Sequence, residues 1–233
     1  MKRRSFIKKT AVATVGIAGS SCLYGSIITN INANETINIG VIGDSISYGA
    51  WCSNAIEDLL PLYLQNITDI GDVTVTNYAV SGTNSAYWAS GAGSSIDLSS
   101  HDLVLCMLGT NDLQGGVSVP TYIANMNTID TRVSASSDIV YGIFPIFTQA
   151  SVSGVTGVTT QNYAEHAKYT HGLKKFCIDN GRDFADIRRF IGANITYYGD
   201  NIHPTVEGQI PIMAAWAEGI ARFMKNKTGY LQY

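Results

Sequence analysis

Residues 37–67 read INIGVIGDSISYGAWCSNAIEDLLPLYLQNI. Residues 37–42 form a short apolar run of the buried-strand kind, and from residue 54 to 67 the apolar residues Ile56, Leu59, Leu60 and Leu64 fall near helical spacing. A strand is thus followed by a helix, with the small polar turn Gly43-Asp44-Ser45-Ile46-Ser47 after the strand. The alternation continues along the chain. Residues 73–80 are a second strand candidate, and residues 103–108 (LVLCML) are an uninterrupted apolar run, which places them at the centre of a sheet buried on both faces. Residues 121–133 read as a helix, 139–144 as a fourth strand stopped by Pro145, and the Ser-, Gly- and Thr-rich stretch 148–160 as a loop. A long helix with Tyr163, Ala167, Thr170, Leu173 and Cys177 on one face ends at Gly181. Residues 184–187 are a short fifth strand, and Met213, Trp216, Ile220 and Met224 mark the apolar stripe of a closing helix. Strands alternating with helices call for a parallel sheet of about five strands covered on both sides. The chain has 233 residues with no internal repeat and no interdomain linker, so a single domain over residues 34–233 is expected.

Composition narrows the possible functions. Hydrophobic residues make up 45% of the chain and charged residues 14%, against roughly 25% charged in ordinary soluble domains, so the chain is globular rather than disordered. All 18 acidic residues lie at or beyond Glu35, whereas Lys2, Arg3, Arg4, Lys8 and Lys9 fall in the first 33 residues. Without that segment ten basic residues face 18 acidic ones, a net charge of −8. Such a domain grips phosphate backbones poorly, and no nucleic-acid partner is expected. Four cysteines with no C-x-x-C pair supply neither a disulfide framework nor a zinc or dithiol motif.

The first 33 residues have the shape of an export signal: MKRRSFIKK is a charged opening, and the apolar run 11–23 is broken by Gly16, Gly19, Ser20 and Ser21. The run is too short and too rich in small residues to span a bilayer, so no stable membrane insertion of the mature domain is expected. Arg3-Arg4-Ser5-Phe6-Ile7-Lys8 resembles a twin-arginine signal, with a generic secretory signal as the alternative. Ala33, two residues after Ile31, is a workable cleavage position. Cys22 is where a lipid anchor would attach, although Gly19-Ser20-Ser21 lacks the large apolar residue usual before such a cysteine. A periplasmic or extracellular domain is the expectation.

In open parallel sheets, ligands bind beyond the carboxyl ends of the strands. Gly43-Asp44-Ser45-Ile46 follows the first strand, Ser81-Gly82-Thr83-Asn84 the second, Gly109-Thr110-Asn111-Asp112 the third, and Asp200-Asn201-Ile202-His203-Pro204 comes after the fifth. Converging loops would unite a hydroxyl, backbone donors, an amide and an Asp/His pair, an inventory suited to acyl transfer from a serine. Ser45 needs a base, and a neutral imidazole, His203, suits that task. Asp200, three residues earlier, can fix the tautomer and stabilise the imidazolium. The N–H groups of Ser45 and Gly82 and the amide of Asn111 can form an oxyanion hole. Gly82, having no Cβ, would let the backbone approach the substrate. Asp44 and Asp112 read as residues that hold the turns rather than as participants in the chemistry.

These four blocks, in this order between residues 37 and 204, resemble the SGNH (GDSL) hydrolases, with Ile46 standing where the family shorthand has leucine. The resemblance implies a flavodoxin-like three-layer α/β/α sandwich, Ser45 as nucleophile, Gly82 and Asn111 as oxyanion donors, His203 as base, and Asp200 as its partner. It implies no metal and no cofactor. Competing motifs are missing: there is no G-x-S-x-G, and neither a dinucleotide nor a nucleotide-phosphate motif follows the first strand. His166 and His171, five apart on a helix, point in different directions and read as solvated or capping residues, and His101 as a loop residue before a strand. Cys106 reads as a packed thiol, Cys177 as core, and Cys52 as a thiol near Ser45 without a base.

The sequence thus predicts a serine esterase acting on a small-molecule or glycan ester. An acyltransferase, a glycan-binding module, and a lipase or thioesterase for longer chains are the alternatives; the oligomeric state is left open. Six aromatics, Tyr48, Trp51, Tyr87, Trp88, Tyr197 and Tyr198, flank three of the four loops. They favour short, acetyl esters on a carbohydrate if they line the site, and they count for nothing if they fill the core beneath the loops.

Overall fold

The computed structural model describes residues 36–52, 55–67, 71–146, 160–192, 194–200 and 202–228. The export-signal segment with Cys22 and Ala33, nearly all of the 148–160 loop, and Asn201 lie outside the described residues. Five strands, β1 (Ile37–Gly43), β2 (Val73–Asn77), β3 (Leu103–Met107), β4 (Asp138–Gly142) and β5 (Asp183–Ala185), form one sheet in the order β2-β1-β3-β4-β5. Every neighbouring pair is parallel. The unbroken apolar run of β3 is buried along its whole length, as a central strand must be, whereas the edge strand β2 alternates between half-buried and exposed residues. β2 and β4 stop two or three residues before their apolar runs do. Tyr78 and Val80 still donate to Val41 O and Gly43 O, at 2.8 and 3.1 Å, but belong to the loop that follows β2.

The helices in chain order are α1 (Ser45–Tyr48), α2 (Ala55–Ile67), α3 (Ser85–Ala89), α4 (Thr110–Gln114), α5 (Val119–Val133), α6 (Thr160–Asp179), α7 (Ile187–Ile191) and α8 (Val206–Thr228). α2 and α8 pack together on one face of the sheet, and α3, α5 and α6 on the other, which gives three layers. Ile56, Leu60 and Leu64 of α2 and Met213, Trp216, Ile220 and Met224 of α8 are buried, so both apolar stripes face the sheet as their spacing predicts. A Cβ at Gly142 would sit 2.8 Å from the Trp216 indole and 2.9 Å from Met107 Cβ. Glycine there makes room for the largest side chain of α8 against β4. Truncating Trp216 to alanine would cost about 3–5 kcal/mol.

The buried stripe of α6 runs through His166, Tyr169, Thr170, Leu173, Phe176 and Cys177. His166 is therefore a core residue, not the solvated or capping one expected. Its Nε2 lies 3.2 and 3.1 Å from the carbonyl oxygens of Phe144 and Pro145, and its ring packs edge-on against Phe144. Beyond the end of β4 those carbonyls have left the ladder and need a donor, which an imidazole N–H supplies. Burial pushes the pKa of His166 down to about 4, keeping it neutral. His171 is exposed.

The chain passes from β1 to β2 on one side and returns to β3 on the other. The carboxyl ends of β1 and β3 therefore border the crevice where the connectivity reverses, the place where sheets of this order bind ligands. Gly43 and Met107 are register partners at that edge, so the turns that follow them start side by side.

Candidate active site

Ser45 is the first residue of α1, immediately beyond β1. The Asp44 carboxylate caps that short helix, its Oδ1 accepting the Ile46 N–H at 3.0 Å, and Gly49, with φ of 84°, closes it. A Cβ on Gly43 would collide with the Ser47 side chain, so glycine is required for the turn to be this tight. Ser45 is held there almost buried. Its Oγ lies 2.8 Å from Nε2 of His203, and Nδ1 of His203 lies 2.6 Å from Oδ2 of Asp200.

A single turn presents both members of the Asp/His pair. Oδ1 of Asp200 accepts the N–H groups of Ile202 and His203 at 3.1 and 2.8 Å, and Gly199 N–H returns to His203 O at 2.9 Å. The carboxylate thus fixes the backbone of the histidine as well as its ring. Partial burial works against the charge of Asp200, but hydrogen bonds from the His203 ring and then from the two backbone N–H groups outweigh it, holding the carboxyl below its usual range. With Nδ1–H on the carboxylate, Nε2 is left to accept from the Ser45 hydroxyl. Such a chain can draw the hydroxyl proton away as the oxygen attacks a carbonyl carbon.

Groups able to donate to such an oxyanion stand on the two neighbouring loops. Gly82 occupies the third position of the turn Val80–Thr83 with φ of 79°, a conformation suited to glycine. A Cβ there would meet nothing within 4 Å, so the backbone conformation and not a lack of space calls for glycine. Asn111 lies in the first turn of α4; one of its amide hydrogens is held by Thr83 O at 2.8 Å, and the second remains for a substrate. The Ser45 and Gly82 N–H groups have no acceptor among the described residues.

Asp112 holds the turns as the sequence suggests, and its partners, together with the contacts of Thr83, Trp88 and Asn125, lock these loops together in a way the sequence does not announce. Asp112 accepts the backbone N–H of Ser85 at 3.0 Å and its hydroxyl at 2.5 Å, and Asn125 donates to that hydroxyl at 2.8 Å. Thr83 Oγ1 donates to Val80 O at 2.8 Å, and the Trp88 indole N–H reaches Gly43 O and Thr83 Oγ1 at 3.2 and 3.1 Å. The available signal was Asn84-Ser85, a helix-start pair, which caps α3. Trp88 and Tyr198 are buried beneath the loops, Tyr87 and Tyr197 are partly buried, and Tyr48 and Trp51 are exposed. Of the six aromatics, then, two are core and two stand at the rim. Cys52 donates to Pro204 O at 3.6 Å, Cys106 and Cys177 are buried, and burial pushes up the thiol pKa of all three. Among the described residues no three His, Cys, Asp or Glu side chains could hold a metal.

Comparison with known proteins gives a family and a set of folds. The GDSL-like lipase/acylhydrolase family model matches residues 41–209. No curated protein matches the chain by sequence. Among solved structures, a catalytic mutant of the acetylxylan esterase Axe2 of Geobacillus stearothermophilus is 17% identical, covering 79% of this chain and 94% of its own, with a TM-score of 0.61. A lipase/acylhydrolase from Enterococcus faecalis is 16% identical over 84% of this chain and 100% of its own, with a TM-score of 0.62. A lipolytic protein of the G-D-S-L family from Veillonella parvula is 15% identical over 80% and 99%, with a TM-score of 0.63. At these identities the structures speak for the fold.

Proposed function

The chain belongs to the GDSL-like lipase/acylhydrolase family and is a carboxylic ester hydrolase, and from that premise we propose that it is an exported serine esterase releasing short acyl groups, acetate above all, from carbohydrate. The observation that carries the mechanism is the continuous hydrogen-bond chain from Ser45 Oγ through His203 to Asp200. Ser45 Oγ attacks the ester carbonyl while Nε2 of His203 takes its proton, and the Ser45 and Gly82 N–H groups with the Asn111 amide receive the oxyanion. Collapse breaks the bond to the leaving alcohol, which takes the proton from Nε2, and leaves an acyl-serine. Water then attacks the acyl carbon while Nε2 takes its proton, and collapse breaks the bond to Ser45 Oγ, which regains the proton from Nε2 as the acid departs.

Support for the substrate is of three kinds. The export-like segment, residues 1–33, would deliver the domain to where glycans are found, and no helix among the described residues is long and apolar enough to cross a membrane. Tyr48 and Trp51 are exposed beside the nucleophile turn and present flat amphipathic rings. One of the structures with the same fold is named an acetylxylan esterase. The test is acetate release from acetylated xylo-oligosaccharides together with a p-nitrophenyl ester series from acetyl to palmitoyl. Acetate release and a rate that declines with chain length are expected. A rate that rises toward palmitoyl, with no acetate released, would transfer the protein to the lipases.

A further inference from the structure

Two tight turns border Ser45 and differ at their third residue. In Val80–Thr83 the Thr83 N–H closes on Val80 O at 3.3 Å and the third residue is Gly82, φ 79°. In Gly49–Cys52 the Cys52 N–H closes on Gly49 O at 2.7 Å and the third residue is Trp51, φ 72°. Trp51 is the one non-glycine residue with positive φ among the described residues. Glycine adopts this conformation freely, whereas a side chain with a Cβ is strained in it, most of all a bulky one. Such strain persists where the surroundings impose it, and it gathers at functional sites.

The surroundings of Trp51 all belong to the active site. Its indole N–H donates to Asp200 Oδ2 at 3.3 Å, the oxygen that also takes His203 Nδ1. One face of the ring lies on Gly199, where a Cβ would stand 3.2 Å from it. Cys52, the next residue, donates to Pro204 O and so ties this turn to the loop that carries His203. Despite these anchors Trp51 is 66% exposed, so burial does not explain why a tryptophan occupies a glycine position. An indole fixed at its edge and on one face offers its other face to solvent, one residue from the base.

We propose that Trp51 determines specificity, as a fixed platform on which the pyranose ring of an acylated sugar stacks; this rests on the carbohydrate-ester reading. His203 must return its proton to the leaving alcohol, so the alcohol half of the ester lies on the His203 side of Ser45, where Trp51 stands. The C–H face of a pyranose packs against an aromatic face, and its neutral hydroxyls tolerate the nearby Asp200 carboxylate, which would repel an anionic alcohol.

Two variants and two substrates test this. Trp51→Gly removes the platform and suits the backbone conformation; Trp51→Phe keeps a ring and loses the N–H. Acetate release is measured from an acetylated xylo-oligosaccharide and from ethyl acetate, whose alcohol is too small to reach a platform. Trp51→Gly should keep or raise Tm and lower the sugar-to-ethyl ratio of kcat/KM at least about tenfold, mainly through KM on the sugar, while Trp51→Phe holds the ratio within about threefold. A Trp51→Gly ratio equal to wild type, in an enzyme that does cleave the sugar, overturns the platform and leaves the carbohydrate reading standing. A lowered Tm with both substrates lost equally makes Trp51 structural and also overturns it. Wild-type hydrolysis of ethyl acetate with none of the sugar overturns the carbohydrate reading and the platform together.

Discussion

Two carboxyls stand near Ser45, and their surroundings decide their charges in opposite ways. Asp44, one residue before the serine, is wholly buried; the Ile46 N–H reaches its Oδ1, while Oδ2 has no hydrogen-bond partner among the described residues. Burial outweighs that donor, with the nearby Thr110 hydroxyl and His203 easing the charge less, and the pKa is pushed up to about 7. Asp200, beyond His203, is partly exposed and collects four donors: the N–H groups of Ile202 and His203, the His203 ring and the Trp51 indole. Its pKa falls below the ordinary range despite partial burial. The balance of burial against hydrogen-bond donors, not closeness to the nucleophile, selects the carboxyl that keeps its charge beside the imidazole. Asp200 is thereby suited to stabilise an imidazolium, and Asp44 to shape a turn.

Replacing each carboxyl by an amide should separate the two by orders of magnitude. Asp200→Asn should lower kcat by about 10³–10⁴, while Asp44→Asn, whose Oδ1 still caps Ile46, should cost less than about tenfold. Steady-state kinetics on p-nitrophenyl acetate provide the check, and equal losses would erase the distinction. The neighbouring donor loop gives the next effect in size: Asn111→Ala should lower kcat by about 10²–10³ with a smaller change in KM. A change confined to KM would make Asn111 a ground-state binder.

The two carboxyls also differ in what they contribute to stability. Because the folded pKa of Asp44 is raised, its contribution is fully present below the unfolded carboxylate pKa of about 4 and is lost as pH rises through about 7, on the order of 4 kcal/mol. Asp200 runs the other way: its depressed pKa stabilises above the unfolded value, and that share is lost as pH falls through the folded one. Urea melts from pH 4 to 8 should show the stability of Asp44→Asn gaining on wild type up to about pH 7 and then levelling off. A constant difference across that range would mean that Asp44 is ionised throughout.

The sheet was legible in the sequence because its strands are apolar runs of strand length between turn residues, and residues 103–108 could be nothing but central. Three of the four loops were legible for the same reason, each short polar block following the end of a strand, whereas Asp200–Pro204 lies 15 residues beyond β5, after α7, and was legible only from its Asp-x-x-His pattern. What escaped notice depends on side chains meeting across loops. Periodicity alone cannot tell a buried histidine from a solvated one, and His166 is buried because carbonyls 21 and 22 residues earlier need a donor. Likewise nothing local to residues 49–52 announces that Trp51 takes a glycine conformation to reach Asp200, 149 positions away. The short helices α1, α3, α4 and α7 are set by caps and tertiary contacts and carry too few residues for a periodic signal.

Whether Ser45 takes the acyl group is read most directly by active-site labelling. Treatment with a p-nitrophenyl alkylphosphonate, followed by intact-mass measurement and peptide mapping, should give one phosphonyl group per chain, on Ser45, with activity lost in proportion. Ser45→Ala should take up no label and hydrolyse p-nitrophenyl acetate at least about a thousandfold more slowly than wild type. A label on another residue such as Cys52, or a Ser45→Ala variant with wild-type activity, would contradict the serine mechanism.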